Sequence, residues 1–127
     1  MIEIVVGVLK SKNKYLIAQR AKGSHQEFKW EFPGGKPETL ENDEEALKRE
    51  FKEELNINIE IKDFICQVIY DYPQMKVKAK SYYVEYDETQ KLKKLVHEEI
   101  KWVKKEELLK NDMVGADIEI IKKILEK

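Results

Sequence analysis

Apolar positions along the chain follow two periods, one typical of strands and one typical of helices. Runs rich in β-branched and aromatic residues predict extended segments at residues 2–9, 15–18, 30–32, 57–72, 76–86 and 100–103. We expect a turn at Asn13-Lys14 and a break at Pro33-Gly34-Gly35. Pro73-Gln74-Met75 predicts a hairpin connection, with a bend or bulge in the long arm before it.

The clearest helix begins after Asn42. This residue is expected to be the N-cap, and Glu45 three positions later completes a capping box. Asn56 is a suitable end, because asparagine tolerates the left-handed conformation. Apolar residues at every fourth position form the stripe that would pack on a sheet, namely Leu47, Phe51 and Leu55.

A second amphipathic helix is predicted at residues 116–126, after a helical turn at 104–109. Helices interspersed among strands of this kind predict an α+β fold, in which helices pack on a mixed sheet. The length of 127 residues is typical of one domain, so we expect a single domain over 1–127.

Composition narrows the classes of function. Hydrophobic residues make up 42%, enough for a packed core, and the net charge is −1, whereas nucleic-acid binders usually carry a basic excess. The single cysteine, Cys66, forms neither an internal disulfide nor a cysteine metal site. No signal-peptide pattern or membrane-length apolar run is present, so we expect a cytoplasmic protein that does not bind membranes.

The helix after Asn42 concentrates negative charge on one edge. Glu50, Glu53 and Glu54 lie at helical spacings of three and four, beside the apolar stripe. Like charges at this spacing repel by about 0.2–0.5 kcal/mol per pair, so the cluster is a candidate cation site. Carboxylate oxygens suit Mg²⁺ or Mn²⁺, which commonly serve chemistry on phosphates.

The segment from Gly35 to Ile57 resembles the Nudix box, the pattern G-x5-E-x7-R-E-U-x-E-E-x-G-U in which U is apolar. The matching positions are Gly35, Glu41, Arg49, Glu50, Phe51, Glu53, Glu54 and Ile57. Asn56 stands where the pattern has glycine, and both residues suit a helix end. The segments at 30–36, 100–103 and 116–117 are similar to landmarks of the MutT-like subgroup.

This resemblance implies an α/β/α sandwich with a mixed sheet and a Mg²⁺-dependent hydrolase, with Mn²⁺ as an alternative ion. Glu53 and Glu54 would be metal ligands, with the backbone carbonyl of Gly34. Glu50 would bind metal or orient and deprotonate the attacking water. Arg49 would hold the carboxylates through charge-assisted hydrogen bonds, and Glu41 would support it.

The same resemblance implies residues that bind the substrate. Arg20 and Lys36 occupy positions that look like phosphate contacts, and Asp117 one that reads the edge of the base. A carboxylate accepts hydrogen bonds, so Asp117 would favour an exocyclic amino group, although oxidised guanine also offers donors. Phe32 would stack on the base together with one tyrosine, the candidates being Tyr70, Tyr72, Tyr82 and Tyr83.

One position departs from the subgroup. MutT-like relatives often carry a further metal-binding glutamate six residues before the tryptophan of the late strand, where this chain has Val96. Glu98 is our candidate replacement, with Glu99 as an alternative. His97 is expected to be an ordinary loop residue.

The implied reaction converts a nucleoside triphosphate to the monophosphate and pyrophosphate, with 8-oxo-dGTP or (d)CTP as the substrate class. Two alternatives stay open, a hydrolase of another nucleoside diphosphate derivative and a non-catalytic nucleotide-binding module. The expected partner is a small nucleotide, not a nucleic-acid polymer, and the expected state is a monomer or homodimer.

Overall fold

A mixed β-sheet runs through the computed structural model, which describes residues 1–126. The strands in this range are β1 (Ile2–Ser11), β2 (Lys14–Gln19), β3 (Trp30–Glu31), β4 (Gly34–Gly35), β5 (Ile59–Tyr72), β6 (Met75–Tyr86) and β7 (Glu99–Lys104). The helices are α1 (Asp43–Leu55), a 3₁₀ helix (Lys105–Lys110) and α2 (Gly115–Leu125). None of these helices combines the length and apolar character needed to span a membrane.

The strand order is β3-β2-β1-β6-β5, with β7 paired to β2 and β4 paired to β1. Strands β1 and β6 run parallel, and the other pairs are antiparallel. The predicted mixed sheet is therefore confirmed. The predicted hairpin and its bulged arm are also confirmed, since the β5–β6 register shifts on either side of Phe64.

Strand β1 separates two apolar layers, because alternate residues of a strand point to opposite faces. Val5 and Leu9 pack with α1, whereas Val6 and Val8 pack with α2. Gly7 allows α1 to lie close, since a Cβ there would come within 2.4 Å of the Phe51 ring. The two helices thus cover opposite faces of the sheet, which confirms the α/β/α sandwich.

Two local predictions need correction. The β1–β2 turn is Lys12-Asn13, one residue earlier than predicted, and both residues have positive φ (52° and 64°), as a two-residue hairpin turn requires. Gly34-Gly35 does not only interrupt the chain, because it forms β4 and pairs with β1. A Cβ on Gly34 would lie 2.1 Å from the Val5 carbonyl oxygen, so this close pairing requires glycine.

Candidate active site

Helix α1 is fixed at both ends, and this determines where its acidic edge lies. The Asn42 side chain accepts a hydrogen bond from the Glu45 amide (2.8 Å), and the Glu45 side chain accepts one from the Asn42 amide (3.0 Å). Asn56 ends the helix with φ 58°, so both predicted caps are confirmed. The predicted apolar stripe is fully buried, as is the neighbouring Ala46. The helix therefore cannot rotate without exposing its core.

Arg49 ties the acidic edge together. Its guanidinium donates to both oxygens of Glu41 (2.7 and 3.0 Å), to Glu50 (2.7 Å), to Glu53 (3.0 Å) and to the Lys36 carbonyl (3.0 Å). The hydrogen bond to Glu41 is the main reason that the pKa of Arg49 is raised, and the same bond lowers the pKa of Glu41. A permanently charged side chain therefore holds three carboxylates in fixed positions.

Glycine in β4 leaves room for the Glu50 carboxylate. A Cβ on Gly35 would lie 2.6 Å from that carboxyl carbon. The half-buried Glu50 side chain thus rests against the backbone of β4 while Arg49 binds one of its oxygens. The predicted ligands Gly34 and Glu50 therefore belong to adjoining segments.

Glu54 is the buried member of the cluster. Burial raises its pKa well above the ordinary value, and the neighbouring carboxylates Glu50, Glu31 and Glu53 raise it further. Its Oε1 atom is buried and has no hydrogen-bond partner within residues 1–126. A buried carboxylate among other carboxylates is costly unless a cation compensates for it. The oxygen-rich donor set therefore fits a hard divalent cation such as Mg²⁺.

The loop before β7 is anchored on the end of α1. The carbonyls of Leu55 and Glu54, which lack partners inside the helix, accept from the amides of Lys93 (2.9 Å) and Leu95 (3.2 Å). These bonds bring the next residues of the loop alongside Glu54. His97 is the loop residue that reaches the acidic cluster, with a side chain only 4% exposed.

His97 lies between two carboxylates. Its Nε2 atom is 2.9 Å from Glu31 Oε2 and 3.6 Å from Glu54 Oε1. Glu98, our predicted replacement ligand, is not part of this group, because its carboxylate accepts the Lys22 backbone amide at 3.0 Å. The structure thus brings His97, not Glu98, to Glu54.

Sequence reasoning missed both Glu31 and His97. Glu31 lies inside the 30–36 segment that resembles MutT-like enzymes, so its position carried a signal that we did not use. His97 lies in the predicted loop, but only its neighbour Val96 stood out, as the departure from the expected glutamate. Val96 itself is 51% exposed.

A cavity of about 270 Å³ lies beside the acidic edge, between the sheet and α2. Its walls include Phe32, which is otherwise buried in the core, and Tyr72. Tyr72 is the one of our four tyrosine candidates that lines this cavity, and its hydroxyl accepts the Ala116 amide at 2.9 Å. The mostly apolar walls with a few polar groups are typical of a small-molecule site.

The predicted phosphate contacts reach the same cavity. Arg20 lines it, and its guanidinium donates to Glu31 at 2.8 Å, so this arginine is already paired. Lys36 also lines the cavity, and its side chain is exposed. Glu31 therefore lies between the cavity and the acidic cluster, bonded to Arg20 on one oxygen and close to His97 on the other.

Asp117 is buried and forms part of the cavity wall. Its Oδ2 atom accepts the Phe32 backbone amide at 2.8 Å. Burial, reinforced by the nearby charge of Glu31, raises the pKa of Asp117 to about 8. At neutral pH the side chain is therefore mostly a neutral acid, which donates as well as accepts hydrogen bonds.

This pKa predicts a specific pH dependence of stability. Because the folded-state pKa lies above the unfolded value, the contribution of Asp117 is complete in acid and is lost as the pH rises through about 8. At about 1.36 kcal/mol per pKa unit, this loss amounts to roughly 4 kcal/mol between pH 5 and pH 9, and Asp117→Asn should remove it. Urea unfolding at pH 5, 7 and 9 measures it. The partly buried Glu119→Gln on the same helix is the control, and parallel pH curves for wild type and Asp117→Asn would contradict the assignment.

Comparison with known proteins agrees with this geometry. A family model described as NUDIX domain matches residues 2–124. The chain is 31% identical over 121 residues to the CTP pyrophosphohydrolase of Escherichia coli K12, covering 95% of this chain and 89% of that protein. It is 40% identical over 77 residues to the 8-oxo-dGTP diphosphatase of Proteus vulgaris, covering 60% and 69%. A MutT protein from Methanosarcina mazei superposes with a TM-score of 0.87 at 25% identity, covering 98% and 93%. The chain therefore belongs to the Nudix family.

Proposed function

We propose that this Nudix hydrolase converts nucleoside triphosphates to monophosphates and pyrophosphate with Mg²⁺, acting on the 8-oxo-dGTP or (d)CTP class. The observation that carries the proposal is the buried Glu54 carboxylate, whose Oε1 atom has no hydrogen-bond partner within residues 1–126, on the acidic edge beside a cavity of about 270 Å³. The two relatives are named for activity on CTP and on 8-oxo-dGTP, which supports the same substrate class.

The residues of α1 would have different roles in the reaction. Glu50, Glu53 and Glu54, with the Gly34 carbonyl, would hold Mg²⁺, which when bound lowers the pKa of water and offsets phosphate charge. Glu50 would also orient the attacking water and accept its proton. Arg49 would position the carboxylates through the 2.7 Å hydrogen bonds that it donates to Glu41 and Glu50.

The cavity would bind the rest of the nucleotide. Lys36 and Arg20 would contact the phosphates, Phe32 would stack on the base, and Asp117 would read the base edge. Because Asp117 is mostly neutral near pH 7, it would recognise an acceptor on the base as well as an amino group. This property is compatible with both cytosine and oxidised guanine.

The protein would act in the cytoplasm on free nucleotides, as one domain over residues 1–127 and as a monomer or homodimer. The nearly balanced charge, with a net value of −1, supports a small nucleotide in preference to a nucleic-acid polymer.

Pyrophosphate release with Mg²⁺ tests the function across 8-oxo-dGTP, CTP, dCTP and 5-methyl-dCTP, with a nucleotide sugar and a dinucleoside polyphosphate as competitors. We expect turnover of at least one triphosphate and a changed base preference in Asp117→Ala. Turnover of only the competitors would favour the other hydrolase class. Tight nucleotide binding without any turnover would identify a binding module.

A further inference from the structure

We infer that His97 supplies a nitrogen ligand to the divalent cation held by Glu54, with Glu31 as a third ligand, and that this nitrogen favours Mn²⁺ over Mg²⁺. The inference rests on the metal requirement in the proposed function. His97 would thus be the further metal ligand from the loop before β7. Val96 has no atom that binds metal, and we had expected Glu98 to be this ligand.

The distances fit one ion. Glu31, Glu54 and His97 each offer one ligand atom, and these atoms lie within 4.8 Å of one another. Ligands at about 2.1 Å from one ion are separated by roughly 3.0 Å in an octahedral and 3.4 Å in a tetrahedral arrangement. The observed separations from His97 Nε2, 2.9 Å to Glu31 and 3.6 Å to Glu54, span these values.

An unpartnered polar atom points into the same space. Glu54 Oε1 has no hydrogen-bond partner within residues 1–126, and the side chain is only 9% exposed. A buried acceptor left in this state is destabilising, and more so when the group is charged. An ion between Glu54 and His97 would satisfy this atom directly.

The charges around the group also favour a cation. Glu31 and Glu54 both face His97, and the Glu50 carboxylate raises the negative potential at Glu54. Arg20 compensates for one oxygen of Glu31 and leaves the other directed at His97. The positive charge of Arg20 alone therefore does not neutralise the carboxylates around His97.

The mixed donor set determines which ion is preferred. Mg²⁺ selects oxygen ligands, whereas imidazole nitrogen suits first-row transition ions. His97 Nδ1 is buried and has no hydrogen-bond partner in the described part of the chain. With the ring proton on Nδ1, the lone pair of Nε2 faces Glu31 and Glu54 and is available to an ion, whereas a proton on Nε2 would form the hydrogen bond to Glu31. The competing interpretation is that His97 only donates a hydrogen bond to Glu31.

Pulsed electron paramagnetic resonance of the Mn²⁺-loaded protein separates these two interpretations, because a directly bound imidazole gives nitrogen modulation of the Mn²⁺ signal. The chain has two histidines, so His25→Gln leaves His97 as its single imidazole. We expect the modulation in wild type and in His25→Gln, and its loss in His97→Gln. We also expect His97→Gln to reduce the Mn²⁺ over Mg²⁺ affinity ratio by at least about 10-fold.

The measurement on His25→Gln keeps the inference falsifiable even if His97→Gln fails to fold. Bound Mn²⁺ without nitrogen modulation in that variant, or failure to bind Mn²⁺ at all, overturns the inference. Normal pyrophosphate release with Mg²⁺ would then leave the proposed function standing. Nitrogen modulation in a wild-type protein that releases no pyrophosphate would overturn the function and not the ligand assignment.

Discussion

Glu54→Gln is expected to lower kcat by on the order of 10³-fold for every candidate substrate. Glutamine keeps the shape of the side chain and removes its charge, so the loss would follow from weaker cation binding. Glu54 is the buried carboxylate of the cluster, and exposed acids on the same helix do not share its desolvated surroundings. Low dielectric strengthens its attraction for a cation relative to a carboxylate in water.

The same substitution should not destabilise the metal-free protein above neutral pH. Burial raises the pKa of Glu54 above its ordinary value of 4.5, so its contribution to stability is present in acid and lost as the pH rises. Glutamine avoids that loss. A variant that is inactive and at least as stable as wild type in EDTA therefore identifies a functional carboxylate.

Steady-state pyrophosphate release and thermal unfolding in EDTA at pH 8 measure the two effects. The exposed Glu44→Gln on the same helix, which removes only the surface pair with Lys48, is the matched control and should keep wild-type kcat. Full activity of Glu54→Gln at a Mg²⁺ concentration that only just saturates the wild-type protein would refute the role of this carboxylate.

The sequence predicted α1 well because the signals that define it are local. Asn42, Glu45 and Asn56 determine the helix ends through contacts within a few residues. The i, i+4 stripe then orients the helix, and the three glutamates follow from that orientation. The resemblance to the Nudix box covers this same local segment.

Contacts between distant segments could not be predicted in the same way. Glu31 and His97 are 66 residues apart in the chain, and they meet because the loop before β7 is anchored on the carbonyls at the end of α1. The pairing of Gly34-Gly35 with β1 likewise depends on sheet topology, whereas the sequence shows only a turn-forming dipeptide. Asp117 was assigned by resemblance, but its raised pKa depends on burial that the sequence does not display.

Substitution of Arg49 by lysine is expected to have the second large effect on activity. It distinguishes the positive charge of the side chain from the geometry of its hydrogen-bond donors. The guanidinium reaches Glu41, Glu50 and Glu53 at the same time because its donors spread in a planar fork. A lysine ammonium keeps the charge but places all its donors on one atom, so it cannot bridge the same oxygens. Without this bridge the carboxylates would repel one another and lose their fixed positions.

We therefore expect Arg49→Lys to lower kcat by about 10²-fold and to reduce the free energy of unfolding by roughly 2 kcal/mol. KM should change little, because the guanidinium contacts carboxylates and a backbone carbonyl, and none of the side chains assigned to the nucleotide. Steady-state kinetics and urea unfolding measure the effects, with the exposed Lys48→Ala as the control. Wild-type kcat in Arg49→Lys would mean that positive charge alone suffices. A large rise in KM with unchanged kcat would move Arg49 from positioning the carboxylates to binding the substrate.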